Sequence, residues 1–224
     1  MKIILVLLRS LVAFVCLLAI IFFLAGTMDY WQGWVFSGVM GVAVIGQEII
    51  FARDPDLAKE RKKPGKGVKI WDKVFITFFS TFLLSSMVIG ILDTARFGWT
   101  QSFDVGWYFV GYLALILGTA GFLWPMWTNH WFATLVRIQD DRGHKVVQTG
   151  PYKFVRHPGY VGAIFMSLGI PLVFGSWWGM ILAAAAVISL IIRTSLEDKT
   201  LQRELDGYKD YAKKVPYKLI PGIW

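Results

Sequence analysis

The chain is poor in the residues that usually announce a function class. It has one cysteine, Cys16, inside an apolar run, which excludes an intrachain disulfide and a cysteine-ligated metal site. Its three histidines, at 130, 144 and 157, do not stand at a metal-ligand spacing, so no metal is expected. Charged residues make up 17% of the 224, against roughly 25% in soluble domains, and 56% are hydrophobic. An ordinary soluble protein is excluded. Acidic residues are outnumbered 15 to 23 by Lys and Arg, for a formal charge of +8. A nucleic-acid partner is not expected, because no binding motif is present and the basic residues flank apolar runs. There is no internal repeat and no low-complexity segment.

What is abundant is apolar length. The clearest runs are Leu11–Gly26, Trp34–Ile45, Val74–Leu92, Val105–Trp127, Tyr160–Phe174 and Trp177–Ile192. A membrane-crossing helix needs about 20 apolar residues, so with flanking residues the first four read as spans. The last two are short and separated only by Gly175-Ser176, the pattern of a tight helical hairpin. The expected fold is all-α, a multi-pass integral membrane protein of about six transmembrane helices. The first run is too long, and lacks the small-residue site, for a cleaved leader. Tryptophans and tyrosines gather at the run ends, as interfacial belts do. With six helices, 22 of the 23 Lys and Arg residues fall on one side and only Arg96 on the other. That bias predicts both termini in the cytoplasm, with the cell inner membrane as the location if the source is bacterial. The basic stretch "RKKPGKGVK" (Arg61–Lys69) is expected against anionic headgroups of the lipid bilayer.

The chain divides in texture. Residues 1–127 read as a transmembrane scaffold of four spans. Residues 128–224 read as a catalytic half, with a polar segment, the hairpin and a C-terminal cap. In that half "DDRGHK" and "QTGPY" read as turns, Gly143 supplying the flexible position and Pro151 holding Gly150 extended. Irregular backbone at membrane depth is tolerated only under protein or around a cavity, which predicts a cytoplasm-facing pocket. Arg156, His157 and Tyr160 then have two readings. They form headgroup, cap and belt contacts, or they line a site at a helix start that favours an anionic group. Arg193 and Glu197, four apart, form an i,i+4 ion pair or hold separate ligand charges. The tail "YKDYAKKVPYKLIPGIW" reads as an interfacial helix with an extended cap.

The order "GPYKFVRHPGYVG", hairpin, "RTSLE", "GYKDYAKKVP" resembles the catalytic half of the isoprenylcysteine carboxyl methyltransferase family. That family belongs to a wider group that includes membrane phospholipid N-methyltransferases. The likeness covers roughly Gln139 to Pro216 and does not extend to the extra N-terminal helices of eukaryotic members. It implies S-adenosylmethionine as cofactor, with contacts at Gln139, His144, Lys145, Val146, Val147, Tyr152, His157, Pro158, Gly159 and Tyr160. Glu197 matches the carboxylate that holds the cofactor's charged end, and Arg193 the arginine used near the substrate. Gly159 stands where a serine is common, so any side-chain contact there is lost. A carboxylate acceptor is already deprotonated near neutral pH, so methyl transfer to it needs mainly proximity and orientation. The implied activity is methyl transfer to a membrane-associated amphiphilic acceptor, with carboxyl O-methylation ahead of phospholipid or amine N-methylation. Two other classes compete: a sterol-reductase-like enzyme using NADPH, and a non-enzymatic membrane protein.

Overall fold

A computed structural model describes residues 2–224, side chains at 2, 3, 5 and 6 aside. Among the described residues every regular element is helical. Five long helices carry the apolar runs: α1 (Lys2–Ala25), α2 (Trp31–Arg53), α4 (Ile70–Leu92), α5 (Val105–Thr128) and α7 (Trp177–Glu204). Three shorter ones complete the set: α3 (Pro55–Lys62), α6 (Pro158–Phe174) and α8 (Tyr208–Lys214). The five long ones are long and apolar enough to cross a membrane, whereas α6 has 17 residues. The chain is an integral, multi-pass, all-α membrane protein.

The hairpin differs from expectation in one arm. The α6–α7 turn is tight, with Gly175 at φ +75 and Ser176 capping α7 through the Gly179 amide at 2.9 Å. Yet α7 is not short, running 28 residues to Glu204. The apolar run ends at Ile192, while the helix continues through polar residues, Arg193 among them, that pair with other elements. Lys69 closes this extension against α4 by pairing with Glu204 at 2.6 Å.

Small residues set the closest helix contact. A Cβ at Gly118 of α5 would stand 2.6 Å from the Met166 amide of α6, and one at Gly162 would strike the Phe122 amide. Glycine on both faces lets the two backbones touch, the usual device where lipid gives no hydrophobic drive between helices. The short α6 is thereby pinned, with its first turn held beside the polar segment 129–157. In that segment Asp140–Arg142 form a single helical turn ended by Gly143 at φ +60. Gly150 sits at φ +57, not extended as Pro151 would impose on most residues. Glycine escapes that restriction because it has no Cβ, and the space is already taken by the Thr128 side chain.

Candidate active site

A cavity of about 300 Å³ opens where the polar segment meets α4, α5, α6 and α7. That volume is at the lower end for small-molecule sites, roughly 300–1,000 Å³. All twelve positions named from the sequence line it. Ten come from the stretch 139–160, Gln139, His144, Lys145, Val146, Val147, Tyr152, His157, Pro158, Gly159 and Tyr160, and α7 adds Arg193 and Glu197. The cavity has two characters. Trp131, His144, Tyr152, Tyr208 and Tyr211 give one end aromatic and polar walls, while Ile76, Phe79, Phe122, Ala163 and Leu190 give the other an apolar lining.

Individual side chains divide into struts and free groups. Gln139 is 1% exposed and fully engaged. Its amide donates to the Trp131 carbonyl at 2.9 Å and its carbonyl accepts from Arg142. Its backbone N–H donates to His144 Nδ1 at 3.3 Å. The His144 ring stacks on Trp131, and burial pushes its pKa down to about 4, so it is neutral at physiological pH. Behind this wall Arg142 also donates to the His130 carbonyl at 3.0 Å, and His130 bonds Asp54.

His157 is a strut as well. Its ring lies parallel to Tyr160 at 5.7 Å, but Nε2 points to Asp198 at 3.2 Å. Asp198 also receives Arg156 through two nitrogens (2.7 and 3.1 Å), Gln202 at 2.7 Å and the Tyr208 hydroxyl at 3.1 Å. Arg156 lines the cavity but is a strut there and is not at the headgroups: it is 7% exposed and also donates to the Val215 and Pro216 carbonyls. The neighbouring backbone amides, at Arg156 and His157, donate to the Tyr217 and Lys218 carbonyls. Tyr208 and Tyr211, expected on an interfacial helix, are buried cavity walls, and Tyr211 donates to the Tyr152 carbonyl at 2.8 Å.

Arg193 and Glu197 do not pair with each other. Arg193 is 5% exposed; its Nε and Nη2 grip the two oxygens of Asp72 at 2.6 and 3.1 Å, and Nη2 also reaches the Thr134 carbonyl at 2.8 Å. Its guanidinium lies 5.2 Å from the Tyr160 ring centre. Glu197 accepts from the Tyr160 hydroxyl with Oε2, while Oε1 makes no bond among the described residues. One carboxylate oxygen therefore faces the cavity without a partner. At Gly159, a Cβ would stand 2.6 Å from the Phe132 ring. Here the ring occupies the place of a side chain, so any larger residue would have to displace Phe132.

Asp72 and Arg61 were not singled out from the sequence. Asp72 is fully buried on the first turn of α4 and bonds the Val136 amide at 2.7 Å as well as Arg193. Arg61, read as part of a headgroup-facing stretch, turns inward and lines the cavity. Neither position carries a motif; only the tertiary fold brings them to the site. Among the described residues no group of three or more His, Cys, Asp or Glu could hold a metal ion.

The comparisons with known proteins agree with this geometry. A family model described as phospholipid methyltransferase matches residues 107–206, from α5 through the end of α7. Protein-S-isoprenylcysteine O-methyltransferase of Schizosaccharomyces pombe is 31% identical over 92 residues, covering 38% of this chain and 37% of that one. The nickel-cobalt-cadmium resistance protein NccN of Alcaligenes xylosoxydans xylosoxydans is 28% identical over 141 residues, 58% of each chain. The matches thus span about a third to three fifths of these curated relatives. A solved structure of a eukaryotic intramembrane Ras methyltransferase, an isoprenylcysteine carboxyl methyltransferase, shares the fold. It superposes with a TM-score of 0.55 over 97% of this chain and 86% of that one, at 18% identity. The likeness carried by "GPYKFVRHPGYVG" and the residues after it is thus borne out: the chain is similar to the isoprenylcysteine carboxyl methyltransferase family and, over residues 107–206, to the phospholipid methyltransferase model.

Proposed function

We propose that the protein is an S-adenosylmethionine-dependent methyltransferase that modifies a membrane-borne amphiphile, by O-methylation of a carboxylate. The observation that carries this reading is one cavity with two ends, polar with an unpartnered carboxylate oxygen on Glu197, and apolar between α4 and α5–α7. The polar end fits the cofactor's chemistry. Glu197 offers its free oxygen to an ammonium, Lys145 at the exposed rim offers a charge to a carboxylate, and the aromatic rings offer π faces to a sulfonium. S-adenosylmethionine bound there would supply an electrophilic methyl on a sulfonium, and a carboxylate acceptor, already deprotonated, would need no base from the protein.

The protein's own part is then placement. Tyr160 fixes the Glu197 rotamer by donating to Oε2, and Arg193, anchored by Asp72 and Thr134, braces the Tyr160 ring. The remaining Arg193 nitrogen is free for an acceptor oxygen. The apolar lining excludes water from the line of attack, and in such a site orientation supplies most of the rate. The phospholipid description of the family model favours a second reading, an amine acceptor. An amine must shed a proton first, and His144, with a pKa of about 4, is a poor base for that task.

The decisive experiment incubates the purified protein in lipid with methyl-labelled S-adenosylmethionine and identifies labelled lipids by mass spectrometry. A base-labile methyl ester is expected, a labelled amine would favour the second reading, and binding of NADPH in place of S-adenosylmethionine would discard both. The basic bias further supports cytoplasmic termini and a cytoplasm-facing pocket. Cysteine labelling in intact cells should place positions 63 and 213 on one side and 96 on the other; labelling of 63 and 96 from one side would reverse that.

A further inference from the structure

Four guanidinium groups line the cavity, of which Arg137 pairs with Glu60 and Asp141 and Arg156 with Asp198. Arg193 is neutralised by Asp72. Arg61 has no carboxylate within 4 Å among the described residues, and its one hydrogen bond to the protein runs from Nη1 to the Phe132 carbonyl at 3.2 Å. Its charge sits 5.4 and 5.9 Å from the Phe132 and Phe122 ring centres. Burial, helped by the charge of Arg193, pushes its pKa down to about 10, so it stays a cation at neutral pH. An unpaired, largely buried cation destabilises a fold, so its persistence asks for a ligand.

The local sequence aims it there. Asp54 caps α3 through the Leu57 amide at 3.0 Å, with Pro55 at the first helical position. Leu57 is fully buried with Ile50 and Met126. Glu60 is held by Arg137 through two bonds of 2.7 and 2.8 Å, and a Cβ at Gly65 would collide with that same Arg137. These contacts fix the helix so that Lys59, Lys62 and Lys63 are exposed while Arg61 faces the cavity.

We infer that Arg61 is the residue that selects the methyl acceptor, by binding the carboxylate of an amphiphile whose apolar body lies along Ile76, Phe79, Phe122 and Leu190. The inference rests on the reading of the cavity as a site for a methyl donor together with an amphiphile. Charge counting supports the division of labour. S-adenosylmethionine carries one net positive charge and a carboxylate acceptor one negative charge. Inside the cavity Arg193 and Asp72 cancel, and Glu197, Lys145 and Arg61 are left without an opposite charge within 4 Å among the described residues. Glu197 and Lys145 match the donor's ammonium and carboxylate, and Arg61 the acceptor.

The test compares an N-acetylated S-isoprenyl cysteine with its carboxamide, which keeps shape and loses charge. Binding of each, and of S-adenosylmethionine, is measured by calorimetry on the solubilised wild type, Arg61→Gln and Arg61→Lys. The wild type should favour the acid by about ten- to a hundredfold, the worth of a charge-assisted bond. That preference should collapse in Arg61→Gln and largely survive in Arg61→Lys, with S-adenosylmethionine affinity unchanged in both. Equal binding of acid and amide by the wild type overturns the inference, whatever the variants do. So does a loss of S-adenosylmethionine affinity in Arg61→Gln with the acid preference intact, which would give Arg61 to the donor's carboxylate. Acid preference through Arg61 with no methyl transfer to any acceptor would instead discard the methyltransferase reading and leave the anion site standing. If Arg61→Gln does not fold, the wild-type comparison and Arg61→Lys still decide.

Discussion

Two adjacent carboxylates on α7 differ in how many partners the fold supplies. Asp198 is 1% exposed and takes hydrogen bonds from Arg156, His157, Gln202 and Tyr208, which together tie the start of α6, the end of α7 and α8 into one knot. Glu197, one residue earlier, faces the cavity with a single donor, Tyr160. A saturated carboxylate has nothing left for a ligand; an unsaturated one beside a cavity is half of a binding interaction. The difference comes from helix geometry, since neighbouring residues point about 100° apart. One helix turn therefore serves both structure and chemistry.

Removing Asp198 is the sharpest way to break that contrast. Asp198→Ala strands the buried Arg156 and His157, and losing one partner of a buried ion pair costs about 3–5 kcal/mol. Thermal melting in detergent should fall steeply, and a melting curve like that of the wild type would show the knot to be dispensable. Glu197→Gln should do the reverse: melting unchanged, S-adenosylmethionine affinity down about ten- to a hundredfold through loss of a charge-assisted bond. A joint fall in melting and affinity would make the two carboxylates alike. The smallest effect is expected from pH. The folded state prefers neutral His144, whose pKa is lowered to about 4 from an ordinary value near 6.5. The unfolded chain therefore binds the extra proton first, and stability should decline as pH falls from about 6.5 towards 4. His144→Gln should flatten that part of the profile, while an unchanged slope would assign it to other groups.

Much of the site was legible because its residues are close in sequence. Turn residues, a proline at the first turn of α6 and a family-like order put ten cofactor positions between Gln139 and Tyr160, and all of them line the cavity. What was illegible depends on distant pairing. The i,i+4 spacing of Arg193 and Glu197 allows them to pair with each other; instead Arg193 crosses to Asp72 on α4 and Glu197 turns to Tyr160 on α6. No local pattern distinguishes Asp72 from any acid in a first helical turn. Arg61 was hidden by its neighbours: in a run of lysines a cation reads as surface, and only the cap, the buried Leu57 and the Glu60–Arg137 pair reveal which face of α3 it occupies. Hydropathy likewise overlooked the polar third of α7, because the scale measures lipid contact and not helix length.

The backbone bonds from Arg156 and His157 to Tyr217 and Lys218 have a consequence for how the protein is made. Residues 208–218 are synthesised after all five long helices. Until then Arg156 lacks its carbonyl partners, and Tyr208 and Tyr211 are absent from the cavity wall. Closure of the cavity is therefore a late event: its wall stays incomplete until the tail has been translated and docked.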